Sequence, residues 1–218
     1  MKSKIKYAGL PKFIANCACK CNEMMFYQYL PIKLHGGHRY SYEERLSCFE
    51  PIIREITQDY INYFGYDKFL NSYVYLTVKH LFQSEGCSYN RFGYHSDGFM
   101  TKDINYIWSD SNPTIFNKGP FFLTKDDKIS LIEMQEQALA ENDITFPDNS
   151  IVRLNQFHIH KVNESGKSGM RTFLKMSFSE DKYNLIGNSR NYLLKYDWEM
   201  LERGIERNIP QASANVQN

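Results

Sequence analysis

The chain has 218 residues, a length that suits one domain. Hydrophobic residues make up 42% and aromatic residues 15%, which excludes general disorder and favours a β-rich fold with a lined cavity. Lys and Arg number 26 against 25 Asp and Glu; a net charge of +1 argues against a long nucleic acid as ligand, because such a groove carries a larger basic excess.

In chain order, the N-terminus MKSKIKYAGLPKF is basic but lacks the apolar segment of a signal peptide. No apolar run approaches the roughly 20 residues that span a bilayer, so no membrane role is expected. Five cysteines is an odd number, and Cys17, Cys19 and Cys21 crowd together. That usage predicts reduced thiols in the cytoplasm rather than a disulfide framework. The C-x-C-x-C spacing is tighter than structural zinc sites use, and no fourth ligand stands out. Abundant Lys, Asn, Ile, Tyr and Phe, with AT-rich codons, point to a bacterial or phage-infected cell. His35-Gly36-Gly37-His38 reads as a tight turn, and residues 1–40 as a whole carry no regular pattern.

Ser41 stands three residues before Glu44, a capping-box spacing. Phe49, Ile52, Ile53, Ile56, Tyr60, Tyr63 and Phe64 then recur with helical periodicity. Pro51 kinks or restarts this helix and Gly65 ends it. Its apolar stripe should pack on a sheet. From Asn71 the period shortens. Strands are expected at Tyr73–Val78, Asn105–Trp108, Pro120–Leu123, Ile151–Val162, Met170–Phe178 and Tyr192–Tyr196, separated by Pro, Gly, Asn and Ser turns. Leu131–Ala140 fits helix or strand. The predicted class is mostly β with supporting helices (α+β), in one domain: helical support over 1–70, a β core over 71–200 and a tail over 201–218. That is the outline of a helix-buttressed β-sandwich or jelly roll.

The chemistry concentrates in two places. Gly93-Tyr94-His95-Ser96-Asp97-Gly98 sets an imidazole and a carboxylate two residues apart, on one face if extended. Roughly sixty residues later comes Gln156-Phe157-His158-Ile159-His160-Lys161-Val162. Two His and one carboxylate form the facial triad of non-heme Fe(II) oxygenases, whose open positions take a chelating co-substrate and O2. His158 and His160 both reach that region if the segment is a strand. Arg171 follows His160 by eleven residues and is suited to a bidentate carboxylate partner. Asn90, Arg91 and the run Asp103–Asp110 are candidate mouth residues, or ordinary strand and turn chemistry.

This ordered set resembles the Fe(II)/2-oxoglutarate-dependent dioxygenases, nearest to the prolyl-4-hydroxylase-like branch, over Tyr73 to Phe178. In that family H-x-D, a distal H-x-V and a G-x-R or G-x-K follow in this order on a double-stranded β-helix. Here they fall on His95 and Asp97, His160 and Val162, and Gly169 and Arg171. Phe173 stands where some members place a Ser. The resemblance implies Fe(II) held by His95, Asp97 and His160, with His160 preferred to His158 for its H-x-V context and its spacing to Arg171. It implies 2-oxoglutarate as co-substrate, with Arg171 on its distal carboxylate. The implied enzyme hydroxylates or oxidatively demethylates a small molecule, a nucleotide or a protein side chain, releasing succinate and CO2. Two other readings are a cupin-like metalloprotein that ignores 2-oxoglutarate and a non-catalytic jelly-roll binding protein.

Overall fold

The computed structural model describes residues 3–86, 92–163 and 166–203. In chain order its strands are β1 (Lys4–Tyr7), β2 (Lys12–Asn16), β3 (Met25–Lys33), β4 (Tyr73–Gln83), β5 (Ile104–Ser109), β6 (Ile115–Asn117), β7 (Phe121–Thr124), β8 (Asp143–Thr145), β9 (Ser150–Leu154), β10 (His160–Lys161) and β11 (Gly169–Ser179). Helices are few: α1 (Glu50–Phe64), α2 (Tyr66–Leu70) and α3 (Asp127–Gln137), with short 3-10 turns at Glu44–Phe49 and Ala140–Asn142. The strands form a large sheet ordered β2-β9-β5-β11-β4-β3, a small sheet ordered β10-β6-β8, and the pair β1-β7. Every ladder among them is antiparallel.

The two faces of the large sheet follow from strand alternation. On one face Leu174, Met176 and Phe178 of β11 stand beside Val78, Leu76 and Val74 of β4 and Trp108 and Tyr106 of β5. This face takes the apolar stripe of α1, with Ile52, Ile53, Ile56 and Tyr60 buried in the largest core cluster. Tyr60 stacks on Phe178 with ring centroids 3.7 Å apart. On the other face β11 presents Arg171, Phe173, Lys175 and Ser177, opposite Leu81, Lys79, Thr77 and Tyr75 of β4. The small sheet covers part of this face: Phe116, Ile144 and Phe146 pack on Ile107, Val152, Leu154 and Phe173. The β1-β7 pair and α3 close a separate cluster of Tyr7, Tyr94, Phe121, Leu123, Met134 and Ile159.

Several sequence expectations need correction. Residues 1–70 are not simply a helical support, because β1, β2 and β3 precede the helices and β2 and β3 form both edges of the large sheet. Their ladders are broken by register shifts at Phe13/Ala15, Tyr27/Leu30 and Pro31/Lys33, which erase the two-residue period. The Ser41/Glu44 capping box does not form: Glu44 lies inside a 3-10 turn without a side-chain cap, and Pro51 sits in the first turn of α1. Gly65 ends α1 as expected, at φ 90°. Ile151–Val162 is two strands, β9 and β10, parted by a turn. Leu131–Ala140 falls largely in α3, which Asp126 caps by accepting from the amides of Lys128 and Ile129. Tyr192–Tyr196 is not a strand. Asn191 there donates to the Pro31 and Ser41 carbonyls, so side-chain bonds replace a ladder. His35–His38 forms the turn that its glycines imply, with Gly36 donating to Leu70 O.

Candidate metal centre

His95 lies outside any named strand yet pairs with His160 as an antiparallel bridge, its amide 2.8 Å from His160 O and the reverse bond 3.0 Å. This adds the H-x-D segment to the edge of the small sheet beside β10. Two glycines make the segment possible. Gly93 has φ 74°, and a Cβ there would meet the Gln135 amide of α3 at 2.6 Å. Gly98 has φ 68°, and a Cβ there would meet Thr101 Oγ1 at 2.6 Å. Gln135 donates to Tyr94 O at 2.7 Å, and Tyr94 Oη donates to the Asp143 carboxylate of β8. Ser96 donates to Gln156 O, while Gln156 Oε1 accepts from Met100 N. The two chemistry-bearing segments are therefore fastened to each other at both ends.

Among the described residues, His95, Asp97 and His160 make up the one His/Cys/Asp/Glu group of three whose ligand atoms all lie within 4.8 Å of one another. The imidazole centroids are 4.5 Å apart. Nδ1 of His95 is 3.0 Å from Gly93 O, and Nδ1 of His160 is 2.9 Å from His158 O. A carbonyl only accepts, so each Nδ1 carries the proton and each Nε2 the lone pair. This is how ligating histidines are oriented. Burial holds the His160 pKa below its ordinary value, which favours the neutral ring that a ligand needs. Burial alone would raise the Asp97 carboxyl, but the Lys175 ammonium, then His160 and His95, hold it well below the carboxylate range. Two imidazoles and one carboxylate, with no sulfur, form a donor set that fits Fe(II).

Lys175 is buried beneath this group, its Nζ 3.1 Å from Asp97 Oδ2 and 3.3 Å from Tyr29 Oη. Its pKa is raised: burial opposes the charge, but Asp97 and Tyr29 outweigh it. Tyr29 sits at a bulge of β3 with φ 50°, and its amide donates to Thr77 Oγ1. Further along the same face, burial lowers Lys79 to about 8, with Lys175 and Arg171 adding repulsion. Arg171 is buried, and burial lowers it to about 10. Its Nε donates to the Ser111 and Asn112 carbonyls, which fixes the guanidinium, and among the described residues it makes no ion pair. Arg171, Lys79 and Lys175 thus share one face of the large sheet, with Asp97 beside Lys175 and the Asp110 and Asp148 carboxylates in the surroundings of Arg171.

His158 is not part of the group. It lies in the turn between β9 and β10, where its Nδ1 accepts from Asn155 N and its carbonyl orients His160. In the run Asp103–Asp110, Asp103 accepts from Tyr183 Oη, Asn105 from Ser177 Oγ, and Asp110 from the Thr172 amide and hydroxyl. Asn90 and Arg91 lie outside the described residues. Sequence reasoning missed Lys175, Lys79 and Tyr29. The available signal was the alternation Arg171, Phe173, Lys175 in a strand whose intervening residues Leu174 and Met176 are apolar.

No protein-family profile and no curated protein matches the chain. Among solved structures it is similar to an oxidoreductase of the 2OG-Fe(II) oxygenase family from Burkholderia pseudomallei, at 9% sequence identity over 73% of each chain and a TM-score of 0.39. A likeness that slight carries no weight for function, which rests on the geometry of His95, Asp97, His160 and the cationic face.

Proposed function

We propose that this chain is an Fe(II)- and 2-oxoglutarate-dependent oxygenase on a double-stranded β-helix. The observation that carries the reading is the His95/Asp97/His160 group beside a buried, cation-bearing strand. Strand alternation supports the fold: β4 lies in the large sheet, the His95 bridge in the small one, β5 large, β6 and β8 small, β9 large, β10 small, β11 large. The motif order H-x-D, H-x-V, G-x-R supports the prolyl-4-hydroxylase-like branch.

His95 and His160 offer their Nε2 lone pairs and Asp97 a carboxylate oxygen to the metal. Bound there with 2-oxoglutarate, Fe(II) would supply O2 activation and oxidation of a substrate C–H bond, with release of succinate and CO2. Lys175 keeps Asp97 ionised and in place. Arg171, fixed by two backbone carbonyls, takes the distal carboxylate of the co-substrate, and Lys79 adds positive potential between them. Tyr29 and Phe26 flank this face on β3 and line the substrate side. A small molecule or a protein side chain suits the near-neutral surface, and a nucleotide is compatible with the cations.

The test is succinate formation from 2-oxoglutarate by the iron-loaded chain in air. Wild type should turn over 2-oxoglutarate slowly even without substrate, and His95→Ala and Asp97→Ala should not. Metal binding with no consumption of 2-oxoglutarate would favour a cupin-like metalloprotein, and no metal binding a non-catalytic binding protein.

A further inference from the structure

The face of the small sheet that turns away from the metal group carries a polar knot directly behind the two imidazoles. The His95–His160 bridge is antiparallel, so Tyr94 stands beside Lys161, and alternation turns both side chains to this outer face. Lys161 Nζ lies 4.4 Å from the centroid of the Tyr94 ring. Asp143 of β8 joins the two: its carboxylate accepts from Tyr94 Oη at 2.8 Å and 2.7 Å and sits 3.2 Å from Lys161 Nζ. Asn117 of β6, the register partner of Asp143, donates to the same carboxylate at 2.8 Å and also to Leu139 O. Tyr94 and Asn117 are buried, and Asp143 and Lys161 are half-buried.

We propose that Asp143 is a positioning residue that sets the spacing and orientation of the His95 and His160 imidazoles from behind the sheet. The role rests on the reading of those histidines, with Asp97, as metal ligands. Asp143 acts through the residues that adjoin the ligands, Tyr94 on the H-x-D segment and Lys161 on β10. The H-x-D segment meets β10 through one bridge, a single reciprocal pair of backbone bonds, and a single pair leaves it able to pivot. The Gln135 and Ser96 bonds fix the segment along its length, to α3 and to the turn before β10. Asp143 fixes it across the sheet, to β10, β6 and β8 at once. A carboxylate suits this place, because a phenol, an ammonium and an amide all donate and its two oxygens accept about four bonds. Bonds to a charged acceptor are also the strong ones, and here they are partly shielded from water. What they preserve is the 4.5 Å separation of the imidazole centroids, which a metal ion bound to both rings requires.

The test is a cobalt(II) titration of the full chain, followed by its d–d bands, for wild type, Asp143→Ala and Tyr94→Phe. Asp143→Ala should weaken cobalt binding by about tenfold or more and shift the bands of the saturated protein. Tyr94→Phe removes one hydroxyl, keeps the test decisive if Asp143→Ala does not fold, and should weaken binding by about fivefold, the worth of one hydrogen bond. A fastener without a positioning role would lower the melting temperature and leave the saturated spectrum unchanged. Wild-type bands and affinity in Asp143→Ala, or in Tyr94→Phe where that is the variant that folds, would therefore overturn the proposal while leaving the metal centre intact. A wild type that binds no cobalt would overturn the metal reading itself, and this role with it.

Discussion

His160 and His158 show how far one residue's role depends on backbone that the sequence displays poorly. Both carry an imidazole, two positions apart, yet only His160 reaches Asp97, with Nε2 3.8 Å from Oδ2. His158 turns its Nδ1 onto the Asn155 amide and lends its carbonyl to His160. His160→Ala should therefore weaken Fe(II) binding by roughly 100-fold or more, whereas His158→Ala should keep the metal within about tenfold. Equilibrium dialysis against Fe(II) under nitrogen separates the two; equal losses would refute the assignment. The triad was legible because H-x-D and a later H-x-H are rare donors at a spacing that chemistry recognises. Lys175 was not, because a lysine in a strand ordinarily reads as a solvated side chain, and only the sheet register shows that it points inward. Tyr29 was hidden by a bulge and a positive φ that no pattern announces.

At the scale of elements, α3 is a brace rather than a layer. Gln135 holds the Tyr94 carbonyl next to the metal segment, and Glu133 fixes the helix to β7 and β1. Glu133 accepts from the Thr124 amide and hydroxyl and pairs with Lys4 at 2.7 Å. Burial would raise its carboxyl, but Lys4 and Thr124 outweigh burial and hold it below its ordinary value. A carboxylate depressed in the folded state contributes stability above its unfolded pKa and loses it as pH falls through the folded one. Glu133→Gln should thus destabilise the chain by about 2 kcal/mol near neutrality, and the gap should narrow as pH falls below the ordinary glutamate value of about 4.3 and through the lower folded one. Urea unfolding of both proteins at pH 7 and pH 3.5 measures this, and a gap that does not narrow at the lower pH would contradict it. The α1 stripe was legible in sequence because seven apolar residues share one face. The split of β9 from β10 was not, since Asn155 and Gln156 make the turn through side-chain bonds inside an apparently continuous strand pattern.

At the scale of the molecule, the antiparallel mostly-β architecture was readable from short β-branched runs between turn residues. The edge strands β2 and β3 were not, because β2 is mostly exposed and the ladders of both are irregular. Their placement matters to the site, since β3 carries Tyr29 to Lys175. Among the described residues no helix is long and apolar enough to cross a membrane. The large sheet thus serves two purposes: its apolar face buries α1, and its polar face sets Lys175 against Asp97 beside His160 of the small sheet.

The most direct measurement is an anaerobic titration of the apoprotein with Fe(II) and then 2-oxoglutarate, followed in the visible spectrum. A metal-to-ligand charge-transfer band should appear in wild type and be absent in His95→Ala. In Arg171→Ala it should need roughly 30- to 100-fold more 2-oxoglutarate, the loss of about 2 to 3 kcal/mol of charge-assisted hydrogen bonding. Iron bound without that band, or a band indifferent to His95→Ala, would contradict the assignment of the site.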